Sequence, residues 1–134
     1  MQDIEITGLE NYGDMRGALY TIPDKDMQFL DAFKNIHIGR IRPGSIRGNH
    51  YHLQTKEMLI ISHTDLWTLA WGRKDSTEIS KMEFAGTGAV LIKINEGVAH
   101  TVKNIGNTDL EIIGLSNRRF SKESPDLFSK ILLE

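Results

Sequence analysis

Cysteine is absent from this sequence, and its absence excludes several kinds of chemistry at once. A chain without thiols can form no disulfide, no thiolate metal site and no cysteine nucleophile. The composition fits a reducing compartment, although many secreted proteins also lack cysteine. Any metal site in this protein would have to do without thiolate ligands.

Long hydrophobic runs are absent as well. The longest apolar runs hold about five residues, far short of the roughly 20 that a membrane-spanning helix needs. The N-terminal segment MQDIEITGLE contains acidic residues and no apolar run, so it does not resemble a signal peptide. We therefore expect no membrane partner and a cytoplasmic location.

Neither sign of charge dominates the composition. The 134 residues carry a net charge of −2, without the basic excess that binding to nucleic acid requires. Nucleic acid is therefore not an expected partner. The length suits one domain spanning residues 1–134, which is enough to bury a single core.

The apolar residues that are present fall in short runs separated by turn residues, a pattern that favours strands over helices. Segment 24–34 could hold a helical turn or a loop, and segment 124–134 a short helix or a last strand. About ten short strands at this spacing predict an all-β sandwich or barrel. The predicted strands are 4–9, 17–22, 36–42, 48–52, 57–62, 66–71, 78–84, 89–94, 100–103 and 110–116.

Several polar residues that could bind a metal lie close together in the segment GNHYHLQTKE. His50 and His52 are two residues apart on a predicted strand, so they share a face, with Tyr51 on the other. A hairpin would bring Glu57 back to the same pocket, and His100 is a fourth candidate. Three imidazoles and one carboxylate suit Zn, Fe, Mn, Ni or Cu.

The other polar and aromatic candidates have simpler interpretations. His37 and His63 each fit a polar position on a solvated face. Trp67, Trp71 and Phe84 are expected in the barrel core rather than in a base-stacking platform, because LWTLAW is typical of a sandwich strand.

With these residues identified, the sequence resembles the cupin family. The first cupin motif reads G-x5-H-x-H-x3,4-E-x6-G, and Gly44, His50, His52 and Glu57 occupy its positions. Thr64 replaces the final glycine of that motif. The replacement falls at a predicted turn, so it affects the expected loop shape rather than the ligands.

The second cupin motif, G-x5-P-x-G-x2-H-x3-N, is matched in its second half by Gly97, His100 and Asn104. Asn95 replaces the proline of this motif. Gly88, which would be its first glycine, is separated from Asn95 by six residues instead of the five in the motif. The resemblance implies a double-stranded β-helix, the jelly-roll barrel of cupins, with the metal inside the barrel mouth.

A narrower resemblance lies in PGSIRGNHYHLQTKEMLII. It is similar to the C-terminal cupin domain of the bifunctional capsule enzymes that epimerise and reduce UDP-linked 4-keto-6-deoxyhexoses. DMRGALY, at residues 14–20, resembles a segment of the sugar 3,4-ketoisomerases. The resemblance implies an epimerase or isomerase of a nucleotide-linked 4-keto-6-deoxy sugar in polysaccharide biosynthesis, a divalent metal with Zn favoured, and a homodimer.

The chemistry of a 4-keto sugar requires a base as well as a group that holds the enolate oxygen. The ketoisomerases, by the resemblance, use a histidine of their H-A-H segment as the base and lack the full metal quartet. This chain keeps Glu57 and His100, so its paired histidines are expected to bind metal. The base is then His37, Lys56, a metal-bound hydroxide or, if the strand prediction is wrong, Tyr51, and the sequence does not choose among them.

A nucleotide sugar also carries a diphosphate, and guanidinium groups match phosphate oxygens. Arg40, Arg42 and Arg47 surround the turn that leads into the predicted site. We take these three arginines as candidate substrate-binding residues, with solvated surface arginines as the alternative. Arg16, in DMRG, has the same two interpretations.

Two other functions are compatible with the same four metal-binding candidates. A cupin oxygenase would use Fe, Ni or Cu to activate dioxygen with a small organic substrate. A non-catalytic cupin would use the metal only to brace a binding module. The identity of the metal in the purified protein would help to distinguish these functions.

Overall fold

The computed structural model describes residues 3–134, which form two five-stranded antiparallel sheets. Their strand orders are β1-β7-β4-β9-β2 and β10-β3-β8-β5-β6. The all-β jelly-roll prediction is confirmed. The strands are β1 (Ile4–Gly8), β2 (Asn35–Ile41), β3 (Ile46–Tyr51), β4 (Glu57–His63), β5 (Trp67–Arg73), β6 (Ser80–Phe84), β7 (Gly88–Ile94), β8 (Val98–Asn104), β9 (Leu110–Ser116) and β10 (Phe128–Ser129).

The core lies between the two sheets and follows from the two-residue alternation of the strands. In β4, Leu59 and Ile61 point inward and are buried. Trp67 is fully buried and stacks on Phe84, with ring centroids 4.2 Å apart. Trp71 packs against the same cluster, so the expectation that these aromatic residues belong to the core is confirmed.

His63 differs from the expectation. It is the last residue of β4 and shares the inward alternation, so it is buried rather than solvated. Its Nδ1 lies 2.7 Å from the carbonyl oxygen of Gly86, and its ring lies against Trp67. The strand extends one residue further than the sequence predicted, which carries the imidazole into the core.

The outer face of the first sheet is covered by one helical segment. Helix α1 (Asp24–Met27) continues into a 3₁₀ turn (Gln28–Leu30), so the helical alternative forms here rather than the loop that is more usual in a barrel. Leu30 packs there on Met58 and Leu91 of the sheet. None of the helices within residues 3–134 has the length and apolar character needed to cross a membrane.

The C-terminal segment covers the outer face of the second sheet. It is extended and contains β10, which pairs with β3 through Phe128 and Ser129. Leu132 is buried against Ala70 and Ala99. The segment therefore forms the last strand, one of the two structures predicted for it.

The strand predicted at 17–22 does not form. Residues 11–20 fold back on themselves through isolated bridges between Asn11 and Tyr20 and between Asp14 and Gly17. The side chain of Asn11 accepts a hydrogen bond from the Leu19 N–H, a group that a strand would offer to a neighbour. The turn residues thus compete successfully with sheet pairing.

Candidate metal centre

Four side chains meet inside one end of the barrel. His50 lies on β3, His52 follows that strand, Glu57 begins β4 and His100 lies on β8. Their ligand atoms all lie within 4.8 Å of one another. The structure therefore brings together the four residues that the sequence proposed as metal ligands, and they form a group that could hold a metal ion.

A bulge in β3 sets the positions of the first two histidines. The register against β8 shifts between Gly48 and His50, which places His50 directly opposite His100. Gly48 has φ +119°, and a Cβ there would lie 2.6 Å from the carbonyl oxygen of His100. Only glycine fits this close approach of two backbones.

Glu57 lies at the centre of the group and is buried. Its Oε1 is 3.0 Å from the Nε2 of His100, and its Oε2 is 3.8 Å from the Nε2 of His52. Burial alone would raise the pKa of this carboxyl group. The contacts with His100 and His52 outweigh burial and hold the pKa of Glu57 well below its usual range, so the carboxylate is ionised.

The pKa values of His50, on β3, and His52, just after that strand, are shifted in opposite directions. Burial, together with the neighbouring His100, lowers the pKa of His50 to about 4, so this ring is neutral near pH 7. Burial also acts to lower the pKa of His52. The contacts of His52 with Glu57 and Asp126 overcome that effect, and its pKa is raised.

Backbone carbonyls select the ring nitrogens that face the cluster. The Nδ1–H of His52 donates to the carbonyl oxygen of Asp126 at 2.6 Å, and that of His100 donates to the carbonyl oxygen of Val98 at 3.1 Å. Each Nε2 therefore faces Glu57. Both Nε2 atoms are buried and lack a well-directed hydrogen-bond partner within the described chain.

Neutral imidazoles would direct Nε2 lone pairs at an ionised carboxylate, which is a repulsive arrangement. A shared cation would remove this repulsion. Three nitrogen ligands and one carboxylate match the ligand set of Zn²⁺ and of several other divalent metals. The orientation of these residues therefore fits a metal ion.

A cavity of about 640 Å³ opens beside the four residues. This volume lies in the range of small-molecule sites. Its wall combines apolar side chains, among them Leu59, Val102 and Ile112, with the polar groups His37 and Arg47. The site can thus accept a substrate larger than a metal ion.

Of the three side chains proposed as the catalytic base, His37 alone lines this cavity. Its ring lies over Gly114, on the facing position of β9. Tyr51 points to the opposite face of β3 and stacks on Phe128 at 5.4 Å between ring centroids. Lys56 places its Nζ over the ring of Phe29, 5.3 Å from the centroid.

The three candidate arginines line a second cavity, of about 570 Å³. Arg47 also lines the cavity beside the four candidate metal ligands, so it borders both cavities. Arg40 is bound to Glu111, with its Nε 3.1 Å from the carboxylate. Arg16 is exposed and pairs with Asp14.

The sequence predicted no functional role for the segment at residues 117–127. It lines a further cavity, of about 160 Å³, whose wall includes Arg118, Arg119, His52 and Glu57. Two arginines followed by an aromatic residue, in NRRF, were the available signal. Asp126 carried no signal, because an isolated aspartate in a terminal segment is unremarkable until the fold places it beside the site.

Comparisons with known proteins agree with this architecture. A family model described as "Polysaccharide biosynthesis C-terminal domain" matches residues 12–128. The spore coat polysaccharide biosynthesis protein SpsL of Bacillus subtilis (strain 168) is 24% identical over 127 residues. The alignment covers 92% of this chain and 84% of SpsL.

Solved structures share the fold. The dTDP-6-deoxy-D-glucose-3,5-epimerase RmlC of Legionella pneumophila matches with a TM-score of 0.76 and 22% identity, over 99% of this chain and 75% of that one. The 3,4-ketoisomerase QdtA of Thermoanaerobacterium thermosaccharolyticum matches with a TM-score of 0.67 and 15% identity, over 96% and 88%.

The capsular polysaccharide assembling protein CapF of Staphylococcus aureus matches with a TM-score of 0.66 and 22% identity. The match covers 92% of this chain and 34% of CapF, so this chain spans about a third of that protein. The family model covers most of the sequence. The chain therefore belongs to the polysaccharide biosynthesis C-terminal domain family.

Proposed function

We propose that this protein is a metal-binding epimerase or isomerase that acts on a nucleotide-linked 4-keto-6-deoxy sugar in polysaccharide biosynthesis. The observation that carries the proposal is the convergence of His50, His52, Glu57 and His100 beside a cavity of about 640 Å³. The names of SpsL, RmlC and QdtA support the substrate class, since they describe polysaccharide biosynthesis, a sugar epimerase and a sugar ketoisomerase.

The reaction begins with loss of a proton from a carbon next to the ketone. The resulting enolate carries negative charge on oxygen, and a site that stabilises this charge lowers the barrier. When bound by the four residues, a divalent cation, with zinc favoured, supplies Lewis acidity toward such an oxygen. Leu59, Val102 and Ile112 give this cavity an apolar wall beside the four residues.

We assign the proton transfer to His37. Its imidazole lines the cavity but stands outside the group of four, so it is available when the other histidines bind metal. An imidazole can both accept and donate a proton, which suits a general base that later returns the proton. Ketone migration would follow if His37 delivered the proton to the former ketone carbon while the proton of the neighbouring hydroxyl group moved to the former ketone oxygen. Epimerisation would in addition require a second proton donor, such as water, on the opposite face of the carbon.

Arg47 is the best-placed residue for the diphosphate. It borders both the metal cavity and the cavity that Arg42 lines, so a substrate could extend from one into the other. Its Nε donates to the carbonyl oxygen of Arg40 at 3.2 Å, which fixes the side chain near this junction. Arg40 itself is engaged with Glu111 and contributes less.

Solvent deuterium exchange tests the function directly. The zinc-loaded protein is expected to incorporate deuterium from D₂O into dTDP- or UDP-linked 4-keto-6-deoxy sugars, measured by mass spectrometry. His37→Gln should slow incorporation by about 100- to 10,000-fold, the usual contribution of a general base. Zinc content should stay unchanged, because His37 is not among the four ligands.

Lys56→Met is the matched control, since Lys56 was an equal candidate from sequence but lies outside the cavity. It should leave the rate of incorporation unchanged. No incorporation across a panel of these sugars would contradict the proposed function. Purified protein containing iron or copper, together with dioxygen consumption, would instead favour an oxygenase.

A further inference from the structure

Asp126 contacts the loop that joins two of the four metal-binding residues. Its Oδ1 accepts a hydrogen bond from the backbone N–H of Leu53 at 2.8 Å. Its Oδ2 accepts from the N–H of Gln54 at 2.8 Å and from the hydroxyl of Thr55 at 2.7 Å. One carboxylate thus holds three consecutive residues of the loop between His52 and Glu57.

The main chain of Asp126 directly contacts His52, one of the four candidate metal ligands. The carbonyl oxygen of Asp126 accepts the Nδ1–H of His52 at 2.6 Å. A carbonyl can only accept, so this contact selects the ring form whose Nε2 carries the lone pair. That Nε2 is the atom facing Glu57.

The segment that carries Asp126 is anchored by contacts that do not involve the four candidate metal ligands. The N–H of Lys130 donates to the carbonyl oxygen of Asn49 at 2.8 Å, and the side chain of Asn49 accepts from the N–H of Leu132 at 2.8 Å. Leu132 is buried beneath the second sheet. The C-terminal segment therefore provides a fixed support rather than a mobile one.

We propose that Asp126 is the positioning residue of the metal centre, acting through its carboxylate on the loop and through its carbonyl on His52. The inference rests on the metal-binding part of the proposed function. Groups that orient ligating histidines typically change metal affinity by about 10- to 100-fold when they are removed. Asp126 differs from a simple turn residue because both of its polar groups are directed at the segment that carries the ligands.

The chain offers a matched control in Asp65, which makes the same kind of contact away from the metal group. Its two carboxylate oxygens accept the N–H groups of Leu66 and Asn107, each at 2.8 Å. Asp126→Asn and Asp65→Asn therefore each remove one acceptor from a capped loop. Thr55→Val is a milder variant that removes one of the three bonds to Asp126.

The zinc dissociation constant, measured by chelator competition on the metal-stripped full chain, is expected to rise about 10- to 100-fold in Asp126→Asn. Thr55→Val should raise it by a smaller factor, and Asp65→Asn should leave it unchanged. Unaltered zinc affinity in both Asp126→Asn and Thr55→Val would overturn the proposal. An equal loss in Asp65→Asn would also overturn it, since general destabilisation would then explain the effect.

Nitrogen-15 NMR of the metal-free protein separates this proposal from the metal function. At about pH 9, well above the ordinary imidazole pKa, His52 should be protonated at Nδ1 in the wild type and in Asp65→Asn. Asp126→Asn keeps the main-chain carbonyl but weakens the bonds from the 53–55 loop that hold it in place, so it should give a mixture of the two ring forms. A wild-type protein that binds no zinc would contradict the metal function, whereas a His52 protonated at Nε2 would overturn the role of Asp126.

Discussion

Gly114 shows how a single residue can determine the position of a reacting group. It lies on β9 opposite His37, and the imidazole occupies the space that a side chain at this position would need. A Cβ at Gly114 would collide with the ring, although the ring is the far end of a side chain that can rotate away. The consequence of adding a methyl group is therefore expected in catalysis more than in folding.

Gly114→Ala should lower the rate of deuterium incorporation by about 10- to 100-fold, because small displacements of a catalytic group are costly. Zinc affinity should stay the same. Gly8→Ala on β1 is the control, since its Cβ would meet no atom within 4 Å and Gly8 does not line the cavity. A Gly114→Ala protein with wild-type exchange rate would argue against His37 as the base.

The helical segment and the first sheet are joined by a buried ion pair. Lys93 of β7 places its Nζ 2.6 Å from Asp26 of α1, and both residues are buried. Burial acts to lower the pKa of Lys93, but the hydrogen bond and charge of Asp26, with the charge of Glu5, raise it overall. The pair fixes a short helix that has little stability of its own.

Lys93→Met should lower the free energy of unfolding by about 3–5 kcal/mol, because Asp26 is left buried and unpaired. The double variant Asp26→Leu with Lys93→Met should recover most of this loss. The folded chain holds the Lys93 proton more tightly than the unfolded chain, so the stabilisation is complete below pH about 10 and declines as the pH rises through the raised pKa. Urea unfolding at several pH values checks both statements. A double variant as unstable as Lys93→Met would contradict the role of the pair.

At the scale of the whole molecule, the two sheets leave free edges. β2 is the last strand of the first sheet, and it exposes Ile36 (60%) and Ile38 (77%). A long edge strand with exposed apolar side chains is a ready surface for pairing with another chain. We expect it to join two copies of this protein in a homodimer, as the family resemblance implies.

Light scattering during size-exclusion chromatography should therefore report a dimer. Ile38→Lys should weaken the association about tenfold or more, because an unpaired ammonium group would be buried at the interface. Met15→Lys, at a fully exposed position in the 11–20 turn, should have no effect. A monomeric wild type, or a dimer insensitive to Ile38→Lys, would contradict this expectation.

Local patterns predicted much of this molecule. The alternation of β4 indicated which residues face the core, and the spacing of His50 and His52 indicated a shared face because side chains on a strand repeat every two residues. The strand at 17–22 was predicted wrongly, since the competing hydrogen bond joins the Asn11 side chain to Leu19, eight positions away. Such contacts depend on how the turn closes in three dimensions. The strand propensity of the residues gives no information about that.

The sequence by itself determined the all-β class and the shared face of His50 and His52, because periodicity and spacing are local properties. It offered Glu57 and His100 as candidates, and the pairing of distant strands brings them to the two histidines. The tertiary structure alone decided that His37 lines the cavity while Lys56 does not. It also decided that Asp126 supports a histidine 74 residues earlier in the chain. These relations arise from the packing of distant segments, which only the closed barrel brings into contact.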